Sequence, residues 1–161
     1  MRVLFTVALA VAMLAVVLPA LDAVSVDRAE SQTRAAVADL VEAARALAAD
    51  NDALHDRAVA ARATITLDFP TGGVASTPLA SLDVGPPGTD TAQSVGSGPA
   101  ATRITWRVAG GRRHTRQVDG LRLRPAADGR LRVDPGRTRL VLRLLARNGT
   151  RLVTVSEHNV A

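Results

Sequence analysis

Few residues in this chain are equipped for chemistry, and they are scattered. The three histidines, His55, His114 and His158, stand far apart, whereas a metal ion or a general base needs partners that converge on one point. Only His55 has carboxylates close by, Asp52 and Asp56, and a solvated helix end accounts for that trio without a metal. Gly96-Ser97-Gly98 falls short of the full G-x-S-x-G nucleophile elbow and sits in a glycine- and proline-rich loop, not at a strand-to-helix turn. The chain has no cysteine, which excludes disulfides, zinc-thiolate sites and thiol nucleophiles. Every basic residue is arginine, so lysine Schiff bases and P-loop chemistry are excluded as well. No Walker, dinucleotide or calcium-loop pattern occurs. The expectation is a protein that is not an enzyme, with no catalytic, cofactor-binding or metal-ligating residues.

Two surface features remain. Arg112, Arg113 and Arg116, with His114 among them, follow a Gly110-Gly111 turn and would form a basic hairpin tip able to grip phosphate or sulfate. Arginine filling the solvent side of ordinary strands explains the same residues. No aromatic residues interleave with them, which argues against nucleic acid as a partner. Asn148-Gly149-Thr150 is an acceptor sequence for glycosylation at Asn148 if it lies outside the cell, and Asn-Gly is also the preferred two-residue hairpin turn.

These residues are carried by a chain of 161 residues whose charge is unevenly spread. From Asp22 to Asp68 there are nine acids and five arginines; from Phe69 to Ala161 there are six acids and fourteen arginines. An acidic middle thus precedes a basic end. Val3 to Leu21 carries no charge, and a helix of about 20 apolar residues is what a bilayer crossing needs. The reading is a transmembrane anchor over 1–24, in contact with lipid through residues 3–21, with the N-terminus inside and the remainder outside the cell membrane. The alternative is a signal peptide cut after Ser25, since Ala23-Val24-Ser25 has the small-x-small pattern.

An amphipathic stalk helix is expected over 25–63. Val37, Leu40, Val41, Ala44, Leu47 and Ala48 recur with helical spacing, and Leu54, Ala58 and Ala61 extend the same face. Pro19 is expected to bend the rod, and Asp50-Asn51-Asp52 to interrupt it. The alanine-rich stripe would pack on the protein's own sheet or, in an oligomer, on copies of itself. The head, 64–161, alternates as strands do at Thr64 to Phe69, Leu79 to Val84, Thr102 to Val108, Arg113 to Val118, Leu121 to Arg124 and Leu131 to Val133. A last hairpin runs from Arg139 to Arg147 and back from Thr150 to Glu157, and residues 85–99 form a flexible loop. The fold class is α+β: a transmembrane helix continuing into a stalk helix, then a small antiparallel sheet or sandwich.

Apolar helix, amphipathic stalk and β head together resemble type IV pilins and pseudopilins, with Val17-Leu18-Pro19-Ala20 similar to the proline bend of their anchors. Through the start up to Leu18-Pro19-Ala20, the alanine-rich stalk, the Thr64–Phe69 strand and Trp106-Arg107-Val108 to Gly110-Gly111-Arg112-Arg113, the chain also resembles small arginine-rich membrane-anchored proteins of halophilic archaea. The resemblance implies a pilin-like minor component or accessory of a surface filament or secretion assembly, with other pilus or secretion subunits as partners. The alternative reading of the residues is a secreted or anchored module that binds an anionic ligand.

Overall fold

The computed structural model describes residues 2–73, 76–85, 101–126, 131 and 133–157. Within the helix, the side chains of 2–6, 8, 10–12 and 14–22 fall outside that description. One helix, α1 (Arg2–Asp50), is followed by seven strands: β1 (Arg62–Phe69), β2 (Leu79–Gly85), β3 (Ala101–Val108), β4 (Arg113–Asp119), β5 (Leu123–Pro125), β6 (Gly136–Arg147) and β7 (Thr150–Glu157). They form two sheets, a four-stranded one in the order β1-β6-β7-β5 and a three-stranded one in the order β2-β3-β4.

The helical period decides which side of α1 faces the sheets. Ala36, Val37, Leu40, Val41, Ala44 and Leu47 are all buried, and with Ala29 and Thr33 they make one continuous stripe. Thr33 is fully buried without cost, because its hydroxyl donates to the Ala29 carbonyl one turn back at 2.8 Å. The helix is unbroken as an element through Pro19. It stops at Asp50, where the Asn51 side-chain amide donates to the Leu47 carbonyl at 3.1 Å. A helix C-terminus prefers positive charge, yet Asp50 and Asp52 stand there. Arg151 of β7 supplies the missing cation, 3.5 Å from Asp52 and 3.4 Å from the Asn51 carbonyl.

Strand alternation does the rest. The inward residues of β6, Leu140, Leu142 and Leu144, are fully buried and meet Leu67, Phe69, Val153 and Val155. The β6–β7 hairpin closes at Asn148 and Gly149, with φ of 50° and 72°, the left-handed pair that a two-residue turn matching strand twist requires. Thr102 ties the sheets together. Fully buried in β3, its hydroxyl donates to the Leu121 carbonyl and accepts the Leu123 N–H, both at 2.7 Å.

Several expectations require correction. Among the described residues no helix is long and apolar enough to cross a membrane, so the transmembrane helix of the expected fold class is not found. The described side chains of α1 from Ala23 onward include Asp27, Arg28, Glu30 and Arg34 within three turns, a charge density that suits a helix lying on a water-facing sheet. Most of the proposed lipid-contacting residues 3–21 have side chains outside the description. The stalk does not reach residue 63: Leu54 is 41 % exposed, Ala58 is exposed, and Leu54 instead makes a bridge to Leu145. Of the two expected places for its apolar stripe, the protein's own sheets are the one observed, since that stripe is one wall of the core. The head is two sheets, and it is not wholly antiparallel, since β5 pairs with β7 in parallel. Leu131 is buried but belongs to no strand, and all but the first residue of the expected loop 85–99 lies outside the described residues, Gly85 itself being the last residue of β2.

Candidate functional site

The β3–β4 hairpin carries most of the polar residues singled out by sequence, and strand register decides which of them meet. Trp106 lies across from His114, Ile104 from Arg116 and Thr102 from Val118. This is the inward face, where Thr102, Ile104, Trp106 and Val118 are buried. Arg107 lies across from Arg113, Thr105 from Thr115 and Arg103 from Gln117, on the outward face. The three arginines expected to form one tip are therefore not brought together. Arg113 and Arg116 project from opposite faces of β4, and Arg112 precedes the strand in the turn. What the fold does place side by side are Arg107 and Arg113, with Arg103 four residues along β3, all three exposed.

The inward face makes the closest polar cluster. The His114 ring stacks on Trp106, with centroids 5.6 Å apart and planes 18° from parallel. Its Nε2 lies 2.8 Å from Glu30 Oε2 of α1, with the two side chains 27 % and 15 % exposed. The other carboxylate oxygen, Oε1, accepts the Arg112 backbone N–H at 3.2 Å. The donating contact from His114 is the main cause holding the Glu30 carboxyl below its ordinary pKa; partial burial opposes it, and the Arg112 N–H and the charges of His114 and Arg34 reinforce it. Glu30 and His114 are 84 positions apart, and no spacing signal joins them. Along its own segment His114 alternates with Arg112 and Arg116, and its apolar surroundings come from β3 through the register, so no local signal marked it.

The turn beside this cluster is shaped by two glycines for different reasons. Gly110 has φ of 68°, a left-handed conformation. Gly111 is needed for space, since a Cβ there would lie 2.5 Å from Val108 Cγ2 and 2.7 Å from Glu30 Oε1.

A shallow groove of about 640 Å³ lies between the end of α1 and the β6–β7 turn. Ala48, Leu121 and Leu152 form its floor and Arg45, Arg122 and Arg151 stand at its edge, with no histidine or carboxylate in its lining. It offers no acid, base or nucleophile pairing. Asp52 is engaged with Arg151, and Asp56 accepts the Ala58 N–H at 2.8 Å in a local turn. No group of three metal-ligating side chains occurs among the described residues, and His158 and Gly96-Ser97-Gly98 lie outside them. Asn148 is exposed at the hairpin tip, where its left-handed backbone is explained by the turn.

No curated protein and no solved structure matches the chain. Residues 1–158 match a family described as Domain of unknown function (DUF7311), which takes in the helix, both sheets and the Glu30–His114 seam. The chain belongs to that family.

Proposed function

We propose that the chain is a non-enzymatic, pilin-like subunit or accessory of a filament or secretion assembly at the cell surface, with its β-rich head outside the cell. The observation that carries this reading is the division of α1 into two parts. From Ala29 to Leu47 one side of the helix closes the core. Towards its start, Val7, Leu9, Met13 and Val24 are 57, 51, 64 and 65 % exposed. Burying such side chains stabilises by about 1.5–3 kcal/mol each, so a run of uncovered ones marks a surface that another surface covers. At 3.6 residues per turn Leu9, Met13 and Val24 fall on one side of the helix. The exposed Ala35, Ala46 and Ala49 continue that side, where small side chains let a second helix approach closely. The occupant that fits is the corresponding helix of a neighbouring subunit.

Because the chain has no cysteine, single cysteines report cleanly on neighbours and compartment. Met13→Cys in native-host cells treated with a short bismaleimide is expected to give a ladder of cross-linked species. Arg147→Cys, on the head, is expected to react with a membrane-impermeant maleimide in intact cells. A product that stays monomeric at Met13→Cys overturns the assembly reading, and labelling of Arg147→Cys only after lysis overturns the surface placement.

A further inference from the structure

We infer that the outward face of the three-stranded sheet binds a linear acidic polysaccharide, one bearing carboxylates or sulfates along its length. The inference stands on the head's own surface and does not depend on the assembly reading. Arg103, Arg107 and Arg113 are exposed on this face, and none has a salt-bridge or hydrogen-bond partner among the described residues. Arg107 and Arg113 are directly opposed across neighbouring strands. Like charges in that position repel. Asp83, across from Thr105, and Asp119 at the end of β4 stand on the same face, but neither is paired with Arg107 or Arg113 among the described residues. An anion seated between the two guanidiniums removes the repulsion and gains charge-assisted hydrogen bonds from both.

The other sheet shows the contrast. Arg62 lies across from Arg143 there, but Arg143 Nη1 donates to the Arg57 carbonyl at 2.9 Å, and the neighbouring Arg137 is paired with Asp68 at 3.2 Å. In that opposed pair one arginine, Arg143, is held by the fold, which leaves Arg62 alone to face solvent. In the β3–β4 pair neither arginine is held among the described residues.

The layout also selects the ligand. Arg103 and Arg107 are four residues apart on one strand, about 13 Å at the rise of a β-strand, so a single small anion meets the Arg107–Arg113 pair but cannot reach Arg103. A linear polyanion can. Between and beside the arginines stand Ser81, Thr105, Thr115 and Gln117, which offer hydroxyl and amide groups, together with the carboxylates Asp83, across from Thr105, and Asp119 at the end of β4, beside which only an uncharged stretch of the ligand fits. The free hydroxyls of a sugar chain match that alternation; a DNA backbone has none to offer. Base stacking has no platform here, because Trp106 is turned inward and 4 % exposed.

The test uses the full-length protein with polygalacturonate and dextran sulfate as probes, and uncharged dextran and duplex DNA as comparisons. Arg103→Gln/Arg107→Gln/Arg113→Gln is set against Arg62→Gln/Arg139→Gln/Arg147→Gln, which removes the same charge from the other sheet. All six positions are exposed, and a melt of each variant verifies folding. The expected result is at least a tenfold loss of acidic-polysaccharide binding in the first variant and less than twofold in the second, with no dextran binding in either. Equal loss in both variants would reduce the effect to net charge and overturn the site. DNA binding as tight as that of the polysaccharides, or no binding of either polysaccharide by the unaltered protein, overturns the ligand assignment.

Discussion

At the scale of single residues, the Glu30–His114 contact is the polar feature with a definite thermodynamic signature. The folded protein holds the Glu30 carboxyl below its ordinary pKa, chiefly through His114, so folding favours the ionised form. The unfolded chain takes up that proton more readily. The carboxylate's contribution is therefore fully present above the unfolded value of about 4.3 and is lost as the pH falls through the lower folded value. With both side chains partly open to solvent, the contribution is expected to be at most about 1 kcal/mol. Thermal melts of the unaltered protein and of Glu30→Gln are expected to differ most near neutral pH and to converge as the pH falls through the lowered folded value. A gap that stays constant over that range would show that Glu30 acts through packing and not through its charge. Trp106, stacked beneath His114 and 4 % exposed, supplies the apolar side of the same contact.

Between elements, the seam that joins α1 to the β3–β4 turn depends on the absence of a methyl group. Gly111→Ala places a carbon 2.5 Å from Val108, which is fully buried, and 2.7 Å from a Glu30 oxygen already held by the Arg112 N–H. Neither neighbour yields cheaply, so a loss of about 1–3 kcal/mol is expected in urea unfolding. Unchanged stability would mean that the turn is not pressed against the helix. This seam shows where sequence reasoning reached and where it stopped. The buried stripe from Val37 to Leu47 and the Asn148-Gly149 hairpin were legible, because each follows from a local rule of period or turn geometry, whereas the helix was expected to run on to residue 63 with Asp50-Asn51-Asp52 as a mere interruption. Glu30 and His114 meet only because the hairpin folds back onto the helix, and no local rule encodes that. The parallel pairing of β5 with β7 was hidden for the same reason: Leu123-Arg124-Pro125 is three residues long, and the Val153 N–H to Arg122 carbonyl bond that fixes it spans distant segments. Arg112, Arg113 and Arg116 looked contiguous in sequence, but the two-residue period of a strand sends Arg113 and Arg116 to opposite faces.

For the molecule as a whole, the burial pattern separates what holds the head together from what α1 presents beyond it. Among the described side chains of α1 the buried ones begin at Ala29, and the first described tie between helix and head is the Ser25 hydroxyl, 3.0 Å from that of Thr77. Nothing described before Ala23 contributes to the core, while the strongly exposed Val7, Leu9 and Met13 all lie there. A chain starting at Ala23 keeps every helix side chain described as buried, together with the Ser25–Thr77 and Glu30–His114 contacts. It is expected to melt within a few degrees of the full-length protein, because the described side chains it loses, Val7, Leu9 and Met13, are all exposed. The same truncation removes the apolar part of α1 on which assembly is proposed to rest, so it should give no cross-linked ladder through Ala46→Cys where the full-length chain does. The basic face of β3 and β4 is untouched, so polygalacturonate binding should persist unchanged. A truncated chain that fails to fold would show that α1 before Ala23 is part of the head and not a separate assembly surface; one that folds and still cross-links would move the contact between subunits to the alanine-lined side of the helix at Ala35, Ala46 and Ala49.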